Sequence, residues 1–369
     1  MRKSLIILLA AVLFTLVAMA ACNIDATIGI YSEAAQSTPS TDVVIRNYLG
    51  FFDNCYYYLT DDGVYRKNAE TKSTKTLFKS SATERVVNAY LEISGTDAKL
   101  YLLKDSKDLS ENFKTFLKYY ESSDDFATAH DVTGITNVLD MLPNGFVWNN
   151  QKIYYLAGGT ATVFNNIAGD YIEVLSAYKS ESLNKDQYAF FSIKGTTTET
   201  GDETSRRYYV LKGGAADPII NYEVTDTTEK KRVYCGFQCL TSTDVFLLLY
   251  MNTDGSSNYS YAKKLTAEGV SDYVPLTDNM KYSVSQNASF YDPVADRVIV
   301  KCTNYFDEIN LSDGSITQRK QQYAANICTA DISDFVRKEA GSNIFIVGTA
   351  NSFLYSIDMD NPENNPVQL

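Results

Sequence analysis

Seven short bursts of apolar residues recur along this chain, and their spacing constrains the fold more than any other feature. They are Tyr56–Leu59, Leu100–Leu103, Ile153–Leu156, Tyr208–Leu211, Phe246–Tyr250, Val298–Val300 and Ile344–Val347. Their starts lie 44, 53, 55, 38, 52 and 46 residues apart. Several bursts run into a turn of Gly, Asp or Asn and then a weaker apolar run. Asp61-Asp62-Gly63 precedes Val64-Tyr65, Gly158-Gly159 precedes Thr162–Phe164, Gly213-Gly214 precedes Ile219-Ile220, and Gly348 with Asn351 precedes Phe353–Ile357. Such residues accept the positive φ that hairpin turns demand. Further runs lie upstream, at Arg85–Tyr90, Gly145–Trp148, Gln187–Phe191 and Asn287–Tyr291. Each unit therefore holds three or four strands. Doublets and triplets such as Tyr56-Tyr57-Tyr58, Tyr154-Tyr155 and Tyr208-Tyr209 put bulk on both faces of a strand, because successive side chains alternate. Strands that read this way are covered on both sides.

A loop-varied period near 40–50 residues, with sheets covered on both faces, predicts an all-β fold. The expected architecture is a single β-propeller of about seven blades over residues 43–369, six or eight blades also being compatible. The 28 tyrosines suit it, each setting an apolar ring in an interface and a hydroxyl at a wet edge. Residues 56–69, 152–166, 207–225 and 343–360 resemble the repeat units of kelch-type and related propellers: apolar burst, glycine or aspartate–glycine turn, second strand. The resemblance is to the architecture and indicates no subfamily. One segment departs from the pattern. Leu109, Phe113, Phe116, Leu117 and Tyr120 fall at helical spacing behind Ser110 and Glu111, which predicts a short inserted helix near 108–121, with a strand as the alternative. Asp331–Ala340 reads as a second short helical turn.

The start of the chain carries an address. Arg2 and Lys3 precede 17 residues, Leu5 to Ala21, that are apolar except for Thr15. This is the layout of an export signal, at the lower limit for spanning a bilayer. Met19-Ala20-Ala21-Cys22 resembles the lipobox of bacterial lipoproteins, with Met19 where leucine is usual. The resemblance implies a signal peptide over 1–21, cleavage before Cys22, and a diacylglycerol on the Cys22 thiol with palmitate or a similar acyl group on the new N-terminus. Two other readings stay open: cleavage after Ala18-Met19-Ala20 to release a soluble protein, or retention of an uncleaved anchor. One acyl chain holds a protein to a membrane only marginally, and two or more do so stably. Behind Cys22, residues up to Asp42 are mostly small and polar with one proline, the composition of a flexible tether.

Charge narrows the partners. The chain carries a formal net charge of −12, and cleavage would remove two of its cations. Such a body repels phosphate backbones, so nucleic acid is not an expected partner. The densest basic–aromatic run, Lys114, Lys118, Tyr119 and Tyr120, is too small for a nucleic-acid surface. Five cysteines follow Cys22: Cys55, Cys235, Cys239, Cys302 and Cys328. Cys235 and Cys239, about 13 Å apart along one strand, are too distant to bridge. A Cys302–Cys328 bridge and buried free thiols are both open, the latter favoured.

Motifs for chemistry are sparse. His130, beside Asp131, is the single histidine, so any Ser-His-Asp triad must use it; no cysteine has zinc-ligand spacing with histidine nearby, and no G-x-S-x-G elbow is present. Asp61-Asp62 and Asp124-Asp125 are sequence neighbours, not carboxylates facing each other across a cleft, and the Ser-x-Asp-x-Gly-x-Thr-Trp box of sialidases is missing. Asp358–Asn365 and Asn252–Gly255 gather oxygen ligands without the D-x-[DN]-x-[DN]-G spacing of a calcium loop, and read as polar turns. No catalytic residue, cofactor or metal ligand is assigned, and an enzyme is less expected than a binding protein. The expectation is a lipid-anchored binding or scaffold protein of a bacterial cell envelope, held to the membrane through Cys22 and contacting a protein partner or surface glycan. The alternatives are a glycan-binding adhesin and a propeller hydrolase or lyase.

Overall fold

Each apolar burst becomes a central strand of an antiparallel sheet of four strands, or five in one case. The computed structural model describes residues 44–166 apart from 107–114, 143 and 150–151, the strands named below between 172 and 320, and residues 332–369 apart from 340–341, 350–352 and 362. Sheet 1 is β1 (Ile45–Phe52), β2 (Cys55–Thr60), β3 (Gly63–Asn68) and β4 (Thr74–Lys79). Sheet 2 is β5 (Glu84–Ser94), β6 (Asp97–Ser106), β7 (Thr115–Glu121) and β8 (His130–Asp131). Sheet 3 is β9 (Asp140–Met141), β10 (Phe146–Trp148), β11 (Lys152–Ala157) and β12 (Thr160–Asn166). Sheet 4 is β13 (Ile172–Lys179), β14 (Gln187–Lys194), β15 (Ser205–Lys212) and β16 (Ile220–Thr225). Sheet 5 is β17 (Arg232–Cys239), β18 (Phe246–Thr253), β19 (Asn258–Thr266) and β20 (Gly269–Val270), with β21 (Val274–Pro275) also on β19. Sheet 6 is β22 (Ser289–Asp292), β23 (Arg297–Lys301), β24 (Phe306–Asn310) and β25 (Ile316–Lys320). Sheet 7 is β26 (Ile332–Arg337), β27 (Ile344–Thr349), β28 (Leu354–Asp358) and β29 (Val367–Gln368).

Within every sheet the strands run in chain order, each hairpinned to the next, except that β21 returns to pair with β19. The bursts occupy the second strand of sheets 1, 2, 5, 6 and 7 and the third strand of sheets 3 and 4. That shift accounts for much of the uneven spacing: the 53- and 38-residue intervals fall where the burst moves from second to third strand and back.

Burial on both faces is clearest on β6. Leu100 and Leu102 join Leu49, Tyr57, Leu59 and Val64 of sheet 1. Tyr101 and Leu103, one residue out of phase, join Met141, Val147, Tyr154 and Leu156 of sheet 3. All four β6 side chains are fully buried. Sheet 1 is treated alike, with Tyr56 and Tyr48 packed on Ile346, Leu354 and Leu369 of sheet 7. The first strands are neighbours from sheet 1 to 3, from sheet 4 to 7, and between sheets 7 and 1. The contact between sheets 7 and 1 is sealed by polar bonds at its margin. The Tyr48 hydroxyl donates to the Lys338 carbonyl at 3.0 Å, and the Lys338 ammonium lies 3.8 Å from the centre of the Phe51 ring, a cation–π seat.

Where they are described, the segments predicted as helices are strands. No α-helix occurs among the described residues, and no helix there is long and apolar enough to cross a membrane. Thr115–Glu121, the described part of the 108–121 segment, is strand β7, paired along its length with β6. The spacing of Phe116, Leu117 and Tyr120 fits either period, and the open edge of β6 decides between them. As a strand, the segment buries Leu117 toward sheet 3 and Tyr120 toward sheet 1 while completing the backbone hydrogen bonds of β6. Ile332–Arg337, likewise expected as a helical turn, is β26, the first strand of sheet 7. Only a single 3₁₀ turn, Ser122–Asp124, follows β7.

Replacing Leu102 by Ala should destabilise the protein by about 2–5 kcal/mol, since it opens a cavity between two sheets. Phe116→Ala, on a side chain 42% exposed in the same sheet, should cost about 1 kcal/mol or less. Urea unfolding of the two variants checks the contrast; equal losses would mean that the two-sided core is not what holds the sheets.

Candidate functional site

Turns joining first to second and third to fourth strands gather at one end of the sheets. There, sheets 7, 1 and 2 frame an open groove of about 720 Å³. Three turns shape it. The β1–β2 connection is the two-residue turn Asp53-Asn54, both at positive φ (46° and 54°), the primed geometry that matches strand twist. The β5–β6 hairpin turns at Gly95-Thr96. Beyond β7, the 3₁₀ turn ends with Asp125 and Phe126 in the left-handed region (φ 59° and 60°). Glu339, after β26, closes the groove from sheet 7.

The floor is aromatic and the rim acidic. Tyr57 and Phe126 are buried and meet edge to face at 5.8 Å, with Phe52 against Tyr57 at 6.5 Å. Ile93 stands at the lip, 45% exposed. Asp53, Asp97, Asp125 and Glu339 supply carboxylates, and Arg66 is the one cation lining the groove among the described residues. Arg66 is committed already: its guanidinium sits 2.7 Å from Asp125 and hydrogen-bonds the Tyr57 hydroxyl. Lys75, outside the groove, also pairs with Asp125. The Lys75 hydrogen bond, with the charge of Arg66 adding to it, holds the Asp125 carboxyl below the ordinary aspartate range. A carboxyl held ionised in this way is the opposite of a general acid.

A second polar cluster lies between sheets 2 and 3, and its groups are spent on each other. The Tyr101 hydroxyl donates to Glu92 at 2.8 Å and accepts the Gly159 N–H at 2.8 Å. The Gly158 N–H points at both oxygens of Glu92, at 3.0 and 3.1 Å. Burial pushes the Tyr101 pKa up; the Gly159 N–H pulls it back, and Glu92 raises it further, so the phenol stays protonated and serves as donor and acceptor at once. Tyr119 lies so close over Gly159 (φ +85°) that a β-carbon there would come within 2.8 Å of the ring. The glycine pair read in the sequence as a turn is therefore also a seat for two tyrosines of the neighbouring sheet.

The other residues singled out in the sequence are dispersed. His130 stacks on Tyr119, centroids 5.0 Å apart, while Asp131 pairs with Lys118. Asp62 accepts hydrogen bonds from Thr60 and Tyr65, and Asp61 lies 3.8 Å from Arg46. Asp124 accepts the N–H groups of Ala127 and Thr128. Asp358 and Asp360 are tied into their own turn. Among the described residues no three His, Cys, Asp or Glu side chains converge as metal ligands. Cys55 is a buried free thiol, its pKa raised chiefly by that burial. Cys235 and Cys239 sit on β17, whose pairing is irregular between Tyr234 and Gly236. Cys22, Cys302, Cys328, Lys114, Gly213, Gly214, Asp254 and Gly255 lie outside the described residues. The groove went unread in the sequence; the one available signal was the Asp53-Asn54 turn between two aromatic runs.

No family model and no curated protein matches this chain. Solved structures of similar backbone path include the crystal structure of the eukaryotic initiation factor, 9% identical with a TM-score of 0.41, covering 90% of this chain and 89% of that one. A chain of the mitotic checkpoint complex is 10% identical with a TM-score of 0.46, covering 87% and 96%. Kluyveromyces lactis Hsv2 is 8% identical with a TM-score of 0.41, covering 85% and 92%.

The ion pairs around Asp125 give a testable titration. Its folded pKa is depressed, so its contribution to stability is present above the ordinary aspartate range and is lost as pH falls through the lowered value. Carbon-detected NMR should find Asp125 titrating below the ordinary aspartate range, and Lys75→Ala should move it upward. In the second cluster, Tyr101→Phe should cost about 1–3 kcal/mol, because it strips a partner from Gly159 and from Glu92. Thermal unfolding measures that loss.

Proposed function

We propose that the chain is a lipid-anchored interaction scaffold of a bacterial cell envelope, and that residues 43–369 form one β-propeller of seven blades. The observation that carries the reading is the packing of the first sheet directly on the last. Seven sheets strung in chain order, each with its first strand innermost in sequence, build a propeller when the two ends meet. Ile45, Tyr48 and Tyr56 against Ile346, Leu354 and Leu369 supply the apolar part of that meeting. Lys338 on Phe51 and the Lys67 ammonium on the Leu369 carbonyl supply the polar part. Among the described residues no strand is shared between the two sheets, so side chains would latch the ring.

A scaffold reading suits what the turns present. The groove spans three sheets, its acids sit on separate turns, and its aromatic rings are mostly buried or covered. A glycan receptor needs flat, exposed rings, but Tyr57 and Phe126 meet edge-on and Phe51 carries Lys338. Membrane attachment through Cys22 rests on the lipobox-like Met19–Cys22 and on the apolar run before it. Val44, the first described residue, lies at the end of β1 opposite the Asp53-Asn54 turn. A strand of eight residues spans roughly 26 Å, so a tether ending there would leave the groove facing away from the bilayer.

Two measurements test this. Mass spectrometry of the native N-terminus should find a Cys22 bearing a diacylglycerol and an amide-linked acyl chain; an unmodified Ala21 or Cys22 would refute the anchor. Affinity capture from the protein's own envelope should recover a protein partner, and saturable glycan binding with no partner would favour the adhesin instead.

A further inference from the structure

We infer that the groove between sheets 7, 1 and 2 binds an extended basic segment of a protein partner, with apolar residues between its cations. The inference rests on the scaffold reading and adds the chemistry of the partner. Charge complementarity gives the sign. Among the described residues four carboxylates and one cation line the groove; Asp125 is paired with Arg66 and Lys75, and Glu339 lies 3.9 Å from Lys338, which leaves Asp53 and Asp97. Asp53 and Asp97 are exposed, with no counter-ion among the described residues, and stand on the tips of adjacent hairpins. A cation entering there would meet uncompensated negative charge without displacing an existing pair.

The apolar component gives the partner its second feature. Ile93, 45% exposed, and the half-buried Phe52 leave apolar surface at the lip of the same groove. The groove already displays the pairing it would use. Lys338 sits on the Phe51 ring at 3.8 Å, with Tyr56 at 5.6 Å and Glu339 next in the chain, so cation, ring and carboxylate occur together at its sheet 7 edge. A lone metal ion is a poor fit, because no three ligands converge among the described residues. A phosphorylated or acidic ligand would meet repulsion from the rim. An alternating basic and apolar segment satisfies both the lip and the rim.

The test uses the full mature protein in detergent micelles and two fluorescein-labelled pentapeptides, alternating arginine–leucine and alternating glutamate–leucine, followed by fluorescence anisotropy. The arginine peptide should bind and the glutamate peptide should not. The D53N/D97N double variant and Ile93→Ser should each weaken binding roughly fivefold. A D61N/D131N control removes two exposed acids outside the groove and should leave binding unchanged. Equal weakening by both double variants would reduce the effect to net charge and overturn the groove; absence of arginine-peptide binding, or equal binding of both peptides, would overturn it too. Capture of an envelope partner whose binding D53N/D97N leaves unaltered overturns the groove alone, whereas capture of no partner overturns the scaffold reading. Matched urea unfolding of the variants shows that any loss of binding is not loss of fold.

Discussion

Everything in this structure depends on central strands that are apolar on both faces. On β6, Leu100 and Leu102 serve one interface while Tyr101 and Leu103 serve the next. A strand built this way cannot satisfy itself within one sheet, because each face needs another sheet against it. That requirement propagates. Sheet 2 needs sheets 1 and 3, and sheet 1 needs sheets 2 and 7. At sheet 1 the second cover is sheet 7, the last in the chain, through Ile346, Leu354 and Leu369.

Tyrosine shares this covering with aliphatic side chains, and its hydroxyls show why leucine would not serve alone. Rings of Tyr48, Tyr90 and Tyr101 lie in the interfaces, while their oxygens reach backbone or side-chain partners at the margins. Tyr101 is the sharpest case. Its ring is fully buried, yet its hydroxyl satisfies a turn glycine of the neighbouring sheet and a carboxylate of its own. The bond fixes how the two sheets sit against each other, where apolar contact alone would let them slide. Function then falls to what remains at the ends of the strands, where short turns hold acids and a few apolar side chains in place.

The sequence was a good guide to strands and a poor one to the groove. All seven bursts are strands, and the Gly158-Gly159 turn is where the pattern put it. The 115–121 segment was ambiguous because Phe116, Leu117 and Tyr120 satisfy both periods; the free edge of β6, invisible to a local pattern, resolved it. The groove was illegible for the same reason. Asp53, Asp97, Asp125 and Glu339 are each ordinary turn acids in the linear chain, separated by as many as 286 residues between Asp53 and Glu339. Only the stacking of three sheets makes them neighbours.

The amino-acid order by itself determined the strand-rich fold class, the two-sided burial of central strands, the acidic charge, and the Cys22 signature on which the anchor proposal rests. These follow from local chemistry: alternation along a strand, turn residues that accept positive φ, and an apolar run ended by small residues. Tertiary structure alone decided which acids share a groove, that Arg66 is spent on Asp125 while Asp53 and Asp97 are not, and that sheet 1 lies on sheet 7. Those facts depend on contacts between residues far apart in the chain, which no local pattern encodes, and they set the sign of the charge that any partner of the groove must carry.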